Sequence, residues 1–341
     1  MDSEKTNREV QFHIEGAANA EMRNEPSERS SCPRLTLIVP CHNEEQVLPE
    51  TFSRLGRLFD ELTQAGLILQ PAVYFVDDGS TDGTWGLIER LSTADFRCKG
   101  LKLSRNFGQQ NALLAGLLSV SGDVLISLDA DLQDDVAAIK DMVLAYARGA
   151  EVVYGVRRSR KTDSLFKRST AESFYRLLQV MGVQLIFNHA DFRLLSRRVV
   201  EELRNCGERN LLLRGLIPQL GFPSALIYYD RDERFAGQTK YSVSKMVSLA
   251  VSGITSFTEV PLRIITLVGM TVSLISFAMA AWALVIRFFN PAAVPGWASI
   301  VIPLYMLGGV QLICLGVIGQ YLAKIYTETK ARPRFIVERI I

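Results

Sequence analysis

Histidine is scarce in this chain of 341 residues: three occur, His13, His42 and His189, which excludes a histidine-rich metal centre. The five cysteines, Cys32, Cys41, Cys98, Cys206 and Cys314, form no CxxC pair and are odd in number. That argues against a disulfide framework and a thiolate zinc site, and fits a reduced, cytoplasmic setting for the polar part. An excess of one charge is missing too. With 38 Lys and Arg against 36 Asp and Glu, there is no global basic field of the kind that draws a chain to nucleic acid. No GxxxxGK[ST] loop occurs, and no GxGxxG follows the first strand-like run, so a P-loop ATPase and a dinucleotide dehydrogenase are both disfavoured. The N-terminus has no apolar core of a signal peptide. Residues 1–33, rich in Glu, Asn, Ser and Arg, are expected to be a disordered extension.

What the chain does have is long apolar runs in its last third. Ile264 to Ile286 gives 23 residues without a charge, and Phe288 to Ala323 gives 36 more, with Pro291 and Pro295 near the start. A bilayer-spanning helix needs about 20 apolar residues. Two transmembrane helices are therefore expected at 262–287 and 299–323. Arg263 precedes the first, and Lys324, Lys330, Arg332, Arg334 and Arg339 follow the second, whereas the loop between carries only Arg287. The positive-inside rule then puts both termini and the large N-terminal domain in the cytoplasm. Ahead of the spans, "YSVSKMVSLAVSGITSF" carries an apolar stripe (Val243, Met246, Val247, Ala250, Ile254, Phe257) suited to the membrane interface. A second such stripe runs through Phe166, Phe174, Leu177, Leu178 and Met181.

Between these ends the pattern alternates strands with helices. "RLTLIVPCHNEE", "AVYFVDDGSTDGTW", "GLKLSRNFGQQNALLAGLLSVSG", "DVLISLDADLQDD" and "EVVYGVRR" each open on an apolar run that stops at polar residues. Such alternation predicts an α/β domain with a mostly parallel sheet. Ligands of open α/β sheets bind beyond the carboxyl ends of the strands. Here those ends deliver Pro40-Cys41-His42-Asn43-Glu44, Asp77-Asp78, Ser104-Arg105-Asn106 and Asp129-Ala130-Asp131 to one rim. Asp-Asp-Gly-Ser alone is an ordinary turn, and Asp-x-Asp alone is common. Their arrival at successive strand ends is the stronger signal. Two carboxylates at i and i+2 past a strand can both reach one hard cation, which leaves positions open for phosphate oxygens. That points to a nucleoside-diphosphate donor. Asp134 and Asp135 beyond the pair read as a solvated helix start.

The motifs "VPCHNEE", "VDDGSTDGT", "SRNFGQQNALLAG" and "LDADLQ" resemble the family-two glycosyltransferases of GT-A fold. The resemblance narrows to the polyprenyl-phosphate glycosyltransferases, among them dolichol-phosphate mannose synthases and bactoprenol glucosyltransferases. It continues through "YGVRRSRKTDSLFKR", "ADFRLLSR", "RFAGQTKYS" and "GQYLAKIYTETKARPRFIV", and covers roughly residues 34–337. It implies a GT-A (Rossmann-like) catalytic domain over 34–235, amphipathic juxtamembrane helices over 236–261, the two spans within 262–323 and a cytoplasmic tail over 324–341. His42 stands where the family usually carries Tyr, which bears on nucleotide affinity.

By the same resemblance Pro40, Asn43 and Glu44 would line the uridine pocket, with Asp78 accepting from the uracil ring and Asp77 beside it. Asp129 and Asp131 would anchor Mg²⁺ or Mn²⁺, and Gln133 would complete that cluster. Asp191 would face the reaction centre, orienting the acceptor or the sugar hydroxyls or acting as a base. A polyprenyl phosphate is already ionised, so the protein has to hold two anionic partners together with cations. Arg157, at a strand end, is the preferred acceptor-phosphate ligand, with Arg193, Arg234 and Lys240 as further candidates. The expected reaction is inverting transfer of one sugar, glucose first and N-acetylglucosamine next, from a UDP-sugar to undecaprenyl phosphate in the cytoplasmic membrane. The resemblance also suggests a homo-oligomer such as a tetramer. Two other readings compete with this one. A processive polysaccharide synthase would carry a QxxRW-type motif, and none of Trp85, Trp282 and Trp297 fits one. A catalytically inactive scaffold or flippase partner would not need an intact Asp129-Ala130-Asp131.

Overall fold

A computed structural model describes residues 10–13, 32–131, 133–157, 189–207, 213–230 and 297–341, together with 262, 264–272, 274, 275 and 278. The chain divides into two compact units. One comprises Met1–Gln179, Gln184–Lys240 and Arg332–Ile341; the other comprises Val180–Val183 and Tyr241–Ala331.

The first unit is built on a nine-stranded sheet: β1 (Val10–His13), β2 (Arg34–Cys41), β3 (Leu69–Asp77), β4 (Cys98–Leu103), β5 (Val124–Ser127), β6 (Val152–Arg157), β7 (His189–Ser196), β8 (Ser224–Tyr229) and β9 (Val337–Ile340), in the order β1-β8-β6-β7-β5-β2-β3-β4-β9. β5, β2, β3 and β4 pair in parallel, as do β6 and β8. β7 runs antiparallel between β5 and β6, and β1 and β9 lie antiparallel on the two outer strands. Six strands thus point one way and three the other. The reversal of β7 matters for function: its first residues, not its last, reach the rim where the parallel strands end.

Helices α1 (Leu48–Gln64), α2 (Thr84–Ala94) and α4 (Ala138–Ala147) cover one face; α3 (Gln109–Ser119), α5 (Arg197–Asn205) and α6 (Leu213–Gln219) cover the other. Alternation along the strands divides the core between the faces. Leu35, Leu37 and Val39 of β2 join one cluster, while Ile38 joins the other with Val76. α3 lies so close to the sheet that a Cβ on Gly116 would meet Ile38 Cγ2 at 2.4 Å. That close seat fixes the N-terminal end of α3 at the rim. α5 begins where the Ser196 side chain accepts from the Val199 N–H, a serine cap.

Two expectations change. Residues 10–13, assigned to a disordered extension, form an edge strand; Val-Gln-Phe-His alternates apolar with polar and includes β-branched and aromatic residues, which suits a pleated edge. In the second unit, α7 (Trp297–Thr329) is longer than the expected 299–323, because no breaker interrupts "KIYTET" before Pro333. Among the described residues one helix, over Val310–Thr329, is long and apolar enough to cross a membrane. Of the other expected span, 262–287, residues 264–272 are helical, while 279–287 lie outside the described residues, as do 236–261.

Candidate active site

The loops after β2 and β3 are tied to each other by short polar links. Asn43 adopts a left-handed φ of 57°, and its Oδ1 accepts from Thr81 N–H at 2.8 Å while its own N–H donates to Ser80 Oγ at 3.0 Å. Glu44 N–H donates to Thr84 Oγ1 at 3.0 Å. His42 Nδ1 lies 3.0 Å from the Asp78 carbonyl oxygen, and the Asn106 amide nitrogen lies against the same ring. The imidazole therefore ties three loops together, a task that the sequence reading did not give it.

Asp78 ties down the next loop. Its Oδ1 accepts from Phe107 N–H at 2.7 Å and its Oδ2 from Gly108 N–H at 2.9 Å. Gly79, beside it, has φ +64°, and a Cβ there would meet Arg105 C and Asn106 N at 2.5 Å, so only glycine fits this approach of two backbones. Asp77 is fully buried. Its Oδ1 accepts from Ser80 N–H at 3.2 Å, and its Oδ2 has no hydrogen-bond partner among the described residues. Burial pushes its carboxyl above the usual range, and the Ser80 hydrogen bonds oppose that shift.

The acidic cluster follows β5. The Asp129 carboxyl is raised to about 7, by burial first and then by the charges of Asp134, Asp191 and Asp131, with Arg157 opposing. Gln109 at the start of α3 donates to Asp129 Oδ1 at 2.8 Å. Asp131 is partly exposed, and its Oδ1 accepts from the N–H of buried Gln133 at 3.3 Å. Among the described residues no three His, Cys, Asp or Glu side chains form a closed cation cage. The donors at Asp129 and Asp131 are hard oxygens, which fits a divalent ion held by one or two carboxylates and completed by substrate phosphates.

This arrangement has a pH signature. Unfolded aspartate titrates near 3.9. A folded value near 7 means that Asp129 favours the fold fully below about pH 4 and loses that contribution as pH rises through 7. In chelator, the melting temperature of wild type should therefore fall more between pH 5 and 8 than that of Asp129→Asn. Parallel profiles in a thermal melt would refute it.

Asp191 enters the rim from the reversed strand β7. Its Oδ1 accepts from Arg193 Nη2 and from Arg214 Nε at 3.0 Å; its Oδ2 accepts from Arg214 Nη2 and Gln110 Nε2, both at 3.0 Å. A carboxylate that accepts from two guanidiniums and an amide has both oxygens engaged, which suits it to orienting neighbours. Ser127 of β5 donates to the Asp191 carbonyl oxygen and locks the strand pair beneath it.

Two assignments are corrected here. Arg193, a candidate for the acceptor phosphate, is 1% exposed, and burial lowers its guanidinium below the usual value. It is a counter-charge to Asp191, donating from Nη2 to Asp191 Oδ1 out of a buried mid-strand position whose register partners are Ser127 and Tyr154. Asp134, expected on a solvated helix start, is 3% exposed; its Oδ1 accepts from the Tyr229 hydroxyl and from Arg157 Nη2 at 3.2 Å. Asp135 does precede the helix, with Oδ1 accepting from Ala137 N–H at 2.9 Å. Arg157 stays at the rim, its side chain 17% exposed. Arg234, Lys240 and the basic run 158–168 lie outside the described residues. Gln109, Gln110, Arg214 and Tyr229 were missed as site residues. The signal for the glutamines was present: they open the helix after a strand end, in a segment already singled out.

The sequence model described as Glycosyl transferase family 2 matches residues 36–204. The chain is 48% identical over 313 residues to the uncharacterized glycosyltransferase YkoT of Bacillus subtilis (strain 168), covering 91% of this chain and 93% of that one. It is 40% identical over 308 residues to the bactoprenol glucosyl transferase of Shigella phage SfX, covering 89% and 99%. Among solved structures, glucosyl-3-phosphoglycerate synthase from Mycobacterium tuberculosis superposes with a TM-score of 0.42 at 18% identity, over 65% of this chain and 78% of that one.

Proposed function

The chain belongs to glycosyl transferase family 2, and from that premise we propose that it transfers a single sugar from a UDP-sugar to undecaprenyl phosphate or a similar polyprenyl phosphate. The observation that carries this reading is one rim holding both charge types: the carboxylates Asp129 and Asp131 for a donor diphosphate with its cation, and Arg157 for a second anion. The bactoprenol glucosyl transferase relatives support a polyprenyl phosphate acceptor and make glucose the favoured sugar, with N-acetylglucosamine next.

In this reading a phosphate oxygen of the lipid attacks the anomeric carbon. The bond from that carbon to the UDP oxygen breaks with its electron pair, and the configuration inverts. The acceptor oxygen carries no proton, so no strong base is required, in keeping with the occupied Asp191. Asp129, Asp131 and Gln133 would hold Mg²⁺ or Mn²⁺, which when bound neutralises the departing diphosphate. Pro40, Asn43, Glu44, Asp77 and Asp78 frame the uridine side. The apolar helix Val310–Thr329 would anchor the enzyme in the cytoplasmic membrane, with 262–287 as a second span, both termini cytoplasmic, and a homo-oligomer as the assembly.

The test is transfer of label from a panel of UDP-sugars to undecaprenyl phosphate by purified full-length protein with Mg²⁺ or Mn²⁺. Mass spectrometry of the lipid should find a monophosphate sugar. No lipid product from any donor overturns the proposal.

A further inference from the structure

Arg157 ends β6 directly beside Tyr229, the last residue of β8 and its register partner. The Arg157 Nε–H donates to the tyrosine oxygen at 3.3 Å, and Nη2 donates to Asp134 Oδ1 at 3.2 Å. The tyrosine hydroxyl in turn donates to the same carboxylate oxygen, which closes a three-membered ring of hydrogen bonds. All three side chains are largely buried: Tyr229 is 1% exposed, Asp134 3%, and the Arg157 side chain 17%. The tyrosine is itself wedged, with its ring edge-on to Phe192 at 5.3 Å between centroids. A guanidinium has five N–H donors. Two are engaged here, so three remain for another anion among the described residues.

A mobile arginine that clamps a phosphate gives up rotamer freedom when it does so; one already seated gives up little. We propose that Tyr229 and Asp134 are positioning residues for acceptor recognition, holding the Arg157 fork in one orientation with its remaining donors presented to the phosphate of the lipid. This rests on the assignment of Arg157 to the acceptor. Among the described residues the three side chains make no hydrogen bond to the loops after β2 and β3, so loss of the tyrosine oxygen, which changes no charge, should act through the Arg157 fork. A purely structural ring would instead weaken the fold and disturb both substrates alike.

Tyr229→Phe isolates the effect. It keeps the ring packed against Phe192, changes no charge near Asp129, and removes the oxygen that links arginine to aspartate. The assay uses full-length protein in detergent with UDP-glucose and undecaprenyl phosphate, each varied at saturating levels of the other. If wild type makes no lipid product, the proposed reaction itself fails. If it does, Tyr229→Phe should raise KM for the lipid phosphate about tenfold, the size of one charge-assisted hydrogen bond, and leave KM for UDP-glucose within about twofold. In an Arg157→Lys background, which keeps the charge but loses the fork, the same change should add less than about twofold. A lipid KM within about twofold of wild type, an equal rise for both substrates, or full multiplication of the two defects overturns the inference. Should Tyr229→Phe melt early, the assay is run below its melting temperature, where a lipid-specific rise in KM supports the ring and an equal rise for both substrates refutes it.

Discussion

Asp131→Asn lowers sugar transfer by about a thousandfold, the scale seen when one group that neutralises charge at a reacting centre is removed. Asparagine keeps an oxygen where Asp131 Oδ1 accepts the Gln133 N–H, so the turn after β5 survives and the melting temperature stays near that of wild type. What is lost is one negative charge at a partly exposed, proposed cation ligand, beside the proposed place of the donor diphosphate. The measurement is label transfer to lipid at saturating Mn²⁺, beside a thermal melt of the same preparation. Activity above about a tenth of wild type, in a protein of unchanged melting temperature, removes Asp131 from the cation site.

Asp191→Ala has its largest effect on stability. The carboxylate is the counter-charge of Arg193, whose guanidinium is 1% exposed and whose Nε and Nη1 already have no hydrogen-bond partner among the described residues. Breaking a buried pair from one side leaves a charge with neither water nor partner, at a cost of about 3–5 kcal/mol. For a domain of this size that corresponds to a fall of roughly 10 °C or more in melting temperature. The partly exposed Arg214 can return to water and adds less. Asp191→Asn keeps an acceptor for Gln110 or Arg193 and should lose less than the alanine variant. A melting temperature for Asp191→Ala within about 2 °C of wild type would mean that Arg193 finds other compensation.

The parts of the fold legible in the sequence were those with strong periodicity and an abrupt end. β2, β3, β4, β5 and β6 each show an apolar run halted by carboxylate, asparagine or arginine, and their parallel order followed from the helices between them. β7 was not legible as a strand. "HADFRLLS" places an arginine in mid-strand, and a buried Arg193 makes sense only once Asp191 is known to lie over it. Antiparallel insertion between two parallel blocks has no signature in local pattern either. The same limit explains Asp134. In sequence it is one of two adjacent acids before a helix; in the fold, β8 brings Tyr229 against it from 95 positions away. Asp78 shows the reverse: its importance was legible, yet its carboxylate binds the backbone of Phe107 and Gly108, a contact set by how closely Gly79 lets the two loops approach.

The strand β9 has a consequence for the order in which the molecule is built. Lys102 of β4 pairs with Glu338, 236 positions later, and Gly100 exchanges both backbone hydrogen bonds with Ile341. All of α7 is translated before that strand exists. At ribosomal rates of about 5–20 residues per second, β4 waits as an open edge for ten seconds or more after it is made. An unpaired edge is a template for other chains. Lys99 and Lys102, set along β4 among buried Cys98, Leu101 and Leu103, are charges of the kind that discourage such pairing during synthesis.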